Sequence, residues 1–389
     1  MSLVVKSFAE EPFLPFAKPC ISEETIEDLA QCIRSGWLTT GPRVQEFEAA
    51  LRDYLQVPHA LAVSSATAGL HLALLALDLE KGDEVITPSL TFAATANVIV
   101  QAGGKPVFVD SDPQTYNLDL NQVERAITPR TKVIMPVHFG GYPVDLGALY
   151  ALADKHGLRV VEDAAHTIGA TYKGKKIGSF GDIQVFSFHP NKNMTTGEGG
   201  CITTRDDGLA KRLQALRFHG IDREAWNRFS KKGSQVYDVV EPGFKANMMD
   251  MQAILGIHQL KELDTFIERR TQLARRYQEH LADWKEIELP TFSSDGYGHA
   301  WHFFNPLIMA MDRNTFIDAM KERNIGLGLH YLPVHLFSYY QKAFGYKTGD
   351  FPIAEKIGFS IVSLPLFPTL TLAEQDRVIA AMSDILKVK

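Results

Sequence analysis

Residues 160–200 read VVEDAAHTIGATYKGKKIGSFGDIQVFSFHPNKNMTTGEGG. Two strand-length runs frame this stretch, RVVEDA (159–164) and IQVFSFH (183–189), both rich in β-branched or aromatic residues. Continuous apolar strands are covered on both faces. In soluble chains that places them in a mostly parallel sheet with helices above and below.

The same texture recurs upstream. HALAVSS (59–65), DEVITPS (83–89), KPVFVD (105–110) and TKVIMPVH (131–138) are further strand candidates. Helical patterns alternate with them: Ser22–Ser35 with an N-cap and an acidic first turn, Arg43–Leu55, TAGLHLALLALDL (67–79), TFAATANVIVQAG (91–103), Asp145–His156 and Leu209–Phe218. After Gly220 the pattern loosens. Residues 221–243 are polar and mixed and read as a long loop or lobe, and Asp250–His280 reads as a long helical region. Strands at Trp284–Leu289 and Trp301–Ile308 and helices at Arg313–Glu322 and Thr371–Lys387 suggest a smaller α+β unit. The expected organisation is a proline-containing arm (1–20), a large α/β domain (21–260) and a smaller C-terminal α+β domain (261–389).

At 389 residues the chain exceeds what one hydrophobic core usually supports, and its 45% hydrophobic and 22% charged residues are those of an ordinary globular protein. A net charge of −6 gives no support for binding nucleic acid or a membrane surface. Cys20, Cys32 and Cys201 are odd in number and far apart, which fits reduced thiols. No uncharged apolar stretch is long enough for a membrane span, and MSLVVKSFAEEPFLPF lacks the basic-then-apolar order of a signal peptide. A cytoplasmic location is expected.

Asp163 ends one strand candidate, and ligands of open α/β sheets bind at the carboxyl ends of strands. A carboxylate there can hold a proton on a pyridine nitrogen. Lys192, just past the next strand, can lose its proton when desolvated and form a Schiff base. Such a pair is what pyridoxal phosphate requires. Ser64-Ser65-Ala66-Thr67-Ala68-Gly69 opens a helix with small and hydroxyl residues, leaving backbone N–H groups for an anion. Taken singly, each feature has a plainer reading: a strand-end acid, a solvated lysine, an N-cap. Trp37 suits stacking on a sugar or base as well as loop closure, and His330, Tyr331 and His335 suit substrate contact as well as packing. His138 and His189 share no metal-ligand spacing with other residues, so no metal is expected.

SSATAGLHLAL, GDEVITPSLTFAATANVI, VHFGGYPVDL, VEDAAHTIGATYKGKKIGSFGDIQVFSFHPNKN and TTGEGG, in this order, resemble the DegT/DnrJ/EryC1/StrS family of pyridoxal-phosphate-dependent nucleotide-sugar aminotransferases. The resemblance runs from SGWLTTGP to SLPLFP. It implies the fold-type-I (aspartate aminotransferase-like) architecture and a homodimer with shared active sites. It also implies ping-pong transfer of an amino group from L-glutamate to a 4-keto nucleotide-linked sugar, with 2-oxoglutarate as by-product. By the same resemblance, Lys192 forms the Schiff base, Asp163 meets the pyridine nitrogen and His166 the phenolic oxygen. Phe92 stacks on the ring, while Ala66, Thr67 and Ser187 hold the phosphate together with Asn247 of the second subunit. GFKAN (243–247), FHG (218–220), HAWH (299–302) and GLGLHY (326–331) are similar to the branch making UDP-4-amino-4-deoxy-L-arabinose for lipid A. Met249 and PNKN depart from that branch, while Lys245 and Asn247 stand where the family more commonly has asparagine and arginine. A 3-keto substrate and a non-catalytic regulatory paralogue stay open. Related dehydratases carry histidine in place of Lys192, and a Rossmann dehydrogenase would need a GxGxxG that is absent after the first strand.

Overall fold

The computed structural model describes residues 11–221 and 236–388. The first ten residues of the expected arm, and 222–235 of the expected loop or lobe, lie outside the described residues.

Seven strands build the central sheet. They are β1 (His59–Val63), β2 (Glu84–Pro88), β3 (Lys105–Val109), β4 (Thr131–Ile134), β5 (Arg159–Asp163), and, beyond the two-residue strands β6 (Thr171–Tyr172) and β7 (Lys175–Lys176), β8 (Ile183–Ser187) and β9 (Gly200–Thr204). Their order is β1-β9-β8-β5-β4-β2-β3. All neighbours are parallel except β9, which runs antiparallel to both β8 and β1. Sequence reading missed β9 because it follows directly on the Gly-rich turn.

Helices cover both faces, which explains the continuous apolar strands. On one face Val160, Phe186 and Cys201 meet α2 (Pro42–Leu55), the N-terminal half of a later long helix, and α6 (Leu146–His156). On the other, Val161, Val185 and Ile202 meet α3 (Ala66–Leu75), α4 (Ala93–Gln101) and α7 (Asp207–Leu216). α1 (Glu23–Ser35) starts at the expected cap, Ser22, and α5 (Leu120–Ala126) follows β3.

The long helix is α8 (Asp250–Leu281), 32 residues without interruption. Ala253, Ile257 and Leu260 join the sheet core. Leu273, Tyr277 and Leu281 join a second core with Phe304, Phe316, Leu366 and Met382. Around that second core lie β10 (Ile287–Glu288), β12 (Leu307–Ile308), α9 (Arg313–Glu322) and α12 (Leu372–Leu386), whereas β11 (Tyr297–Gly298) pairs with β6, α10 (Ser338–Phe344) packs Tyr340 with Ala96 and Phe108, and α11 (Pro352–Ser360) packs Ala354 and Ile357 with Leu90 and Phe139. The strands expected at 284–289 and 301–308 shrink to pairs of residues. Trp301 takes a left-handed φ of 49°, and the N–H groups of Ala300 and Phe303 turn to the carbonyls of Gly141 and Gly140 instead of a ladder. Among the described residues no helix is long and apolar enough to cross a membrane.

Strand alternation separates the adjacent acids of β5. Glu162 lies on the Val160 face and Asp163 on the Val161 face. Glu162 is fully buried and accepts hydrogen bonds from Tyr150 Oη (2.6 Å), Gln184 Nε2 (2.8 Å) and His138 Nε2 (2.8 Å). His138 Nδ1 accepts from the Val144 N–H (3.1 Å), which fixes the ring proton on Nε2. Thr203 Oγ1 donates to Gln184 Oε1 (3.0 Å) and turns the amide's N–H toward Glu162. All three partners are donors, so Glu162→Gln forces an amide N–H against one of them. We expect a loss of about 1–3 kcal/mol, read from the denaturation midpoint. An unchanged midpoint would mean the network relaxes freely.

Candidate active site

The carboxyl ends of β1, β2, β5 and β8 open onto one cavity of about 290 Å³. Each strand delivers its residues through the turn that follows it, as expected for the carboxyl edge of an open sheet. Ala66, Thr67, Phe92, Asp163, His166, Ser187, Lys192, His330 and Tyr331 all line this cavity.

After β1, Ser65 caps α3, its Oγ accepting from Ala68 N–H (3.1 Å). The first intrahelical bond runs from Gly69 N–H to Ser65 C=O, so the N–H groups of Ala66 and Thr67 project from the helix start. Gly200 makes this possible. A Cβ there would stand 2.7 Å from Ala66 N and 2.6 Å from the Phe186 carbonyl oxygen, closing the approach of α3 to β9. After β2, Phe92 caps α4 and remains 59% exposed, an aromatic face left open on the cavity side.

Asp163 is buried at the end of β5. Its Oδ2 accepts from Thr95 Oγ1 (2.8 Å) and its Oδ1 from Ala165 N–H (3.2 Å). Burial pushes the carboxyl above its ordinary range, and the two hydrogen bonds and the Lys192 charge act against that. Lys192 keeps part of its side chain open to the cavity, yet protein surrounds the amine, and burial lowers its pKa to about 8 against the pull of Asp163. Its Nζ lies 3.4 Å from His302 Nε2.

His166 Nε2 lies 3.0 Å from the Tyr331 hydroxyl, and its Nδ1 is buried without a partner among the described residues. Burial first, then the Lys192 charge, hold His166 and His302 neutral, far below the ordinary imidazole value. His330 is pushed down to about 3 by burial, and its Nδ1 pairs with Ser363 Oγ at 2.7 Å. Arg270, buried and with no carboxylate partner among the described residues, donates to the carbonyls of Leu366 (2.8 Å) and Trp301 (3.3 Å), bracing the segment that carries His302.

Two candidates, Asn247 and Trp37, do not line this cavity. Asn247 donates to Thr40 Oγ1 and receives Lys245 Nζ at 2.6 Å. The loop carrying Trp37 is tied to the same segment through Asp250 N–H and the Thr39 carbonyl (3.2 Å). His335 is absorbed by the core between Ser89 and Glu355. Sequence reading missed Thr91, Thr95 and His302 as site residues. HAWH was noted only as part of a family resemblance, and the threonines looked like ordinary helix-start residues.

An anion-binding helix start, an open aromatic face, a buried acid and a neutralisable amine in one cavity fit pyridoxal phosphate group by group. They define a Schiff-base-forming enzyme of the fold-type-I class. The model of the DegT/DnrJ/EryC1/StrS aminotransferase family matches residues 19–383. The spore coat polysaccharide biosynthesis protein SpsC of Bacillus subtilis (strain 168) is 46% identical over 383 residues, 96% of this chain and 97% of SpsC. Among solved structures, Helicobacter pylori PseC, an aminotransferase involved in the biosynthesis of pseudoaminic acid, gives a TM-score of 0.90 at 28% identity, covering 97% of this chain and 100% of PseC. S. venezuelae DesV, solved in complex with a ketimine intermediate, gives 0.88 at 34% identity, covering 97% and 100%. The chain belongs to the DegT/DnrJ/EryC1/StrS aminotransferase family. It is a pyridoxal-phosphate-dependent aminotransferase.

The depressed amine makes a stability prediction for the cofactor-free protein. Folded Lys192 titrates near 8 against an ordinary 10.5, so the unfolded chain holds the proton more tightly. The penalty is fully present below about pH 8 and fades as pH rises to 10.5. Lys192→Met should therefore stabilise the apo-protein by about 1–3 kcal/mol at neutral pH. Thermal unfolding across this range should show the gain closing at alkaline pH; a constant gain contradicts the assignment.

Proposed function

We propose that this protein moves an amino group from L-glutamate to the C4 keto group of a nucleotide-linked sugar, in the biosynthesis of an amino-sugar-containing polysaccharide or lipid A. The observation that carries amine transfer is the meeting of Lys192 and Asp163 in one cavity beside the free N–H groups of Ala66 and Thr67. SpsC, PseC and DesV, each matching nearly the whole chain, support a sugar as acceptor. The C4 position, the nucleotide, glutamate and the lipid A connection rest on the resemblance of GFKAN, FHG, HAWH and GLGLHY.

Bound in the cavity, pyridoxal phosphate supplies an electron sink and the carbon that carries the amino group from donor to acceptor. The protein's part divides among named groups. Ala66 and Thr67 N–H, with the Thr67 and Ser187 hydroxyls, would bind the phosphate at the positive end of α3. Asp163 would hold a negative charge toward the pyridine nitrogen, His166 would meet the phenolic oxygen, and Phe92 would cover the ring. Lys192 Nζ would be the amine that joins the cofactor and, when free, the base that takes up and returns a proton. A pKa near 8 leaves a usable fraction neutral at physiological pH. His330 and Tyr331, which line the cavity, and Trp37 of a neighbouring copy would bind substrate.

The active unit is a homodimer in which Asn247, with Lys245 beside it, completes the phosphate site of the second subunit. Leu38, Phe244 and Met249 are exposed apolar side chains in the same region, which supports such an interface. The enzyme is cytoplasmic. The substrate assignment is tested in the reverse direction, by mixing cofactor-loaded enzyme with amino-sugar nucleotides and 2-oxoglutarate and following the cofactor spectrum. Sugars aminated at C4 should convert the cofactor and release glutamate. Turnover of 3-amino sugars alone moves the assignment to a 3-keto substrate, and none with any sugar nucleotide overturns it.

A further inference from the structure

Asp163 is not held by the turn it belongs to alone. Its Oδ2 receives the Thr95 hydroxyl at 2.8 Å, and Thr95 Oγ1 lies 2.8 Å from Thr91 Oγ1. A hydroxyl has one proton to give. If Thr95 gives its proton to the carboxylate, Thr91 must donate to Thr95, so the chain has one polarity: Thr91, then Thr95, then Asp163. Thr91 lines the cavity and Thr95 is fully enclosed. A threonine inside a helix usually returns its hydroxyl to the carbonyl one turn back. Here it meets the hydroxyl one turn back, Thr91, and the acid on the neighbouring strand.

We propose that Thr95, oriented by Thr91, is the positioning residue of Asp163, fixing which carboxylate oxygen is engaged and holding the group as an acceptor toward the cavity. The proposal rests on the role given to Asp163 above, and adds the residues that make that role possible. Burial favours the neutral acid. Among the groups acting against it, Thr95 is the largest, followed by Ala165 N–H and the charges of Lys192 and His138. Thr95 also stands in the first turn of α4, whose positive end favours a carboxylate nearby. Phe92 caps the same turn. One helix start thus sets both the aromatic face of the cavity and the orientation of its acid.

The test uses Thr95→Val, which keeps the shape and removes the hydroxyl, Thr95→Ser, which keeps the hydroxyl, and Thr91→Val. In the apo-protein the Asp163 carboxyl is titrated by carbon NMR, assigned with Asp163→Asn, and pyridoxal phosphate affinity is measured separately. Thr95→Val should raise the proton affinity of Asp163 and weaken cofactor binding, each by about tenfold or more. Thr95→Ser should restore both, and Thr91→Val should shift both in the same direction by less. An unmoved Asp163 titration in folded Thr95→Val, or failure of Thr95→Ser to restore it, overturns the proposal. If Thr95→Val does not fold, Thr91→Val carries the same decision. Asp163→Asn binding the cofactor as tightly as wild type would instead remove the role proposed for Asp163, leaving the effect of Thr95 on its titration intact.

Discussion

Taking an ammonium out of water lowers its proton affinity, and taking a carboxylate out of water raises it. Both happen here within one cavity, at the ends of β8 and β5. Each shift opposes the charge that would otherwise let the two groups simply form an ion pair. Lys192 is left able to act as a free amine, and Asp163 is left in need of donors and a cationic partner. Most of the surrounding structure supplies what this arrangement demands. Thr95 and Ala165 donate to the acid, neutral His166 and His302 avoid adding positive charge beside the lysine, and the helix start of α3 leaves two N–H groups for an anion.

Holding two groups at such unfavourable positions requires rigid support. The sheet is covered on both faces, so β5 and β8 cannot shift without opening one core or the other. Behind Asp163, the fully bonded Glu162 locks β5 to β8 through Gln184 and to the loop after β4 through His138. The long helix α8 joins the sheet core to the second core, and its Arg270 braces the turn that brings His302 against Lys192. The left-handed Trp301 in that turn is a local cost tolerated where the backbone must bend toward the site.

Much of this was readable from the chain because it is local. Strand, turn and helix follow one another around Ala66 and Phe92, and Asp163 and Lys192 lie at or within a few residues of a strand's carboxyl end, so position along the sequence translates directly into position at the sheet's edge. The partners that tune those groups were not readable. Thr95 meets Asp163 across 68 positions and Lys192 meets His302 across 110, and no periodicity reports such contacts. The expected strand at 301–308 failed for a related reason: its hydrogen bonds go to Gly140 and Gly141, which no local pattern announces. Trp37 was legible as an aromatic in a loop, and Asn247 by resemblance alone. The structure ties their two segments together, outside the lining of the cavity.

The central claim is that Lys192 is the amine that joins the cofactor. It is tested most directly by loading the purified protein with pyridoxal phosphate, reducing it with borohydride and mapping the modified peptide by mass spectrometry. The account predicts a yellow protein whose colour is lost on reduction, with the cofactor fixed on the peptide containing Lys192. A colourless protein, or a label on a different lysine, would contradict it.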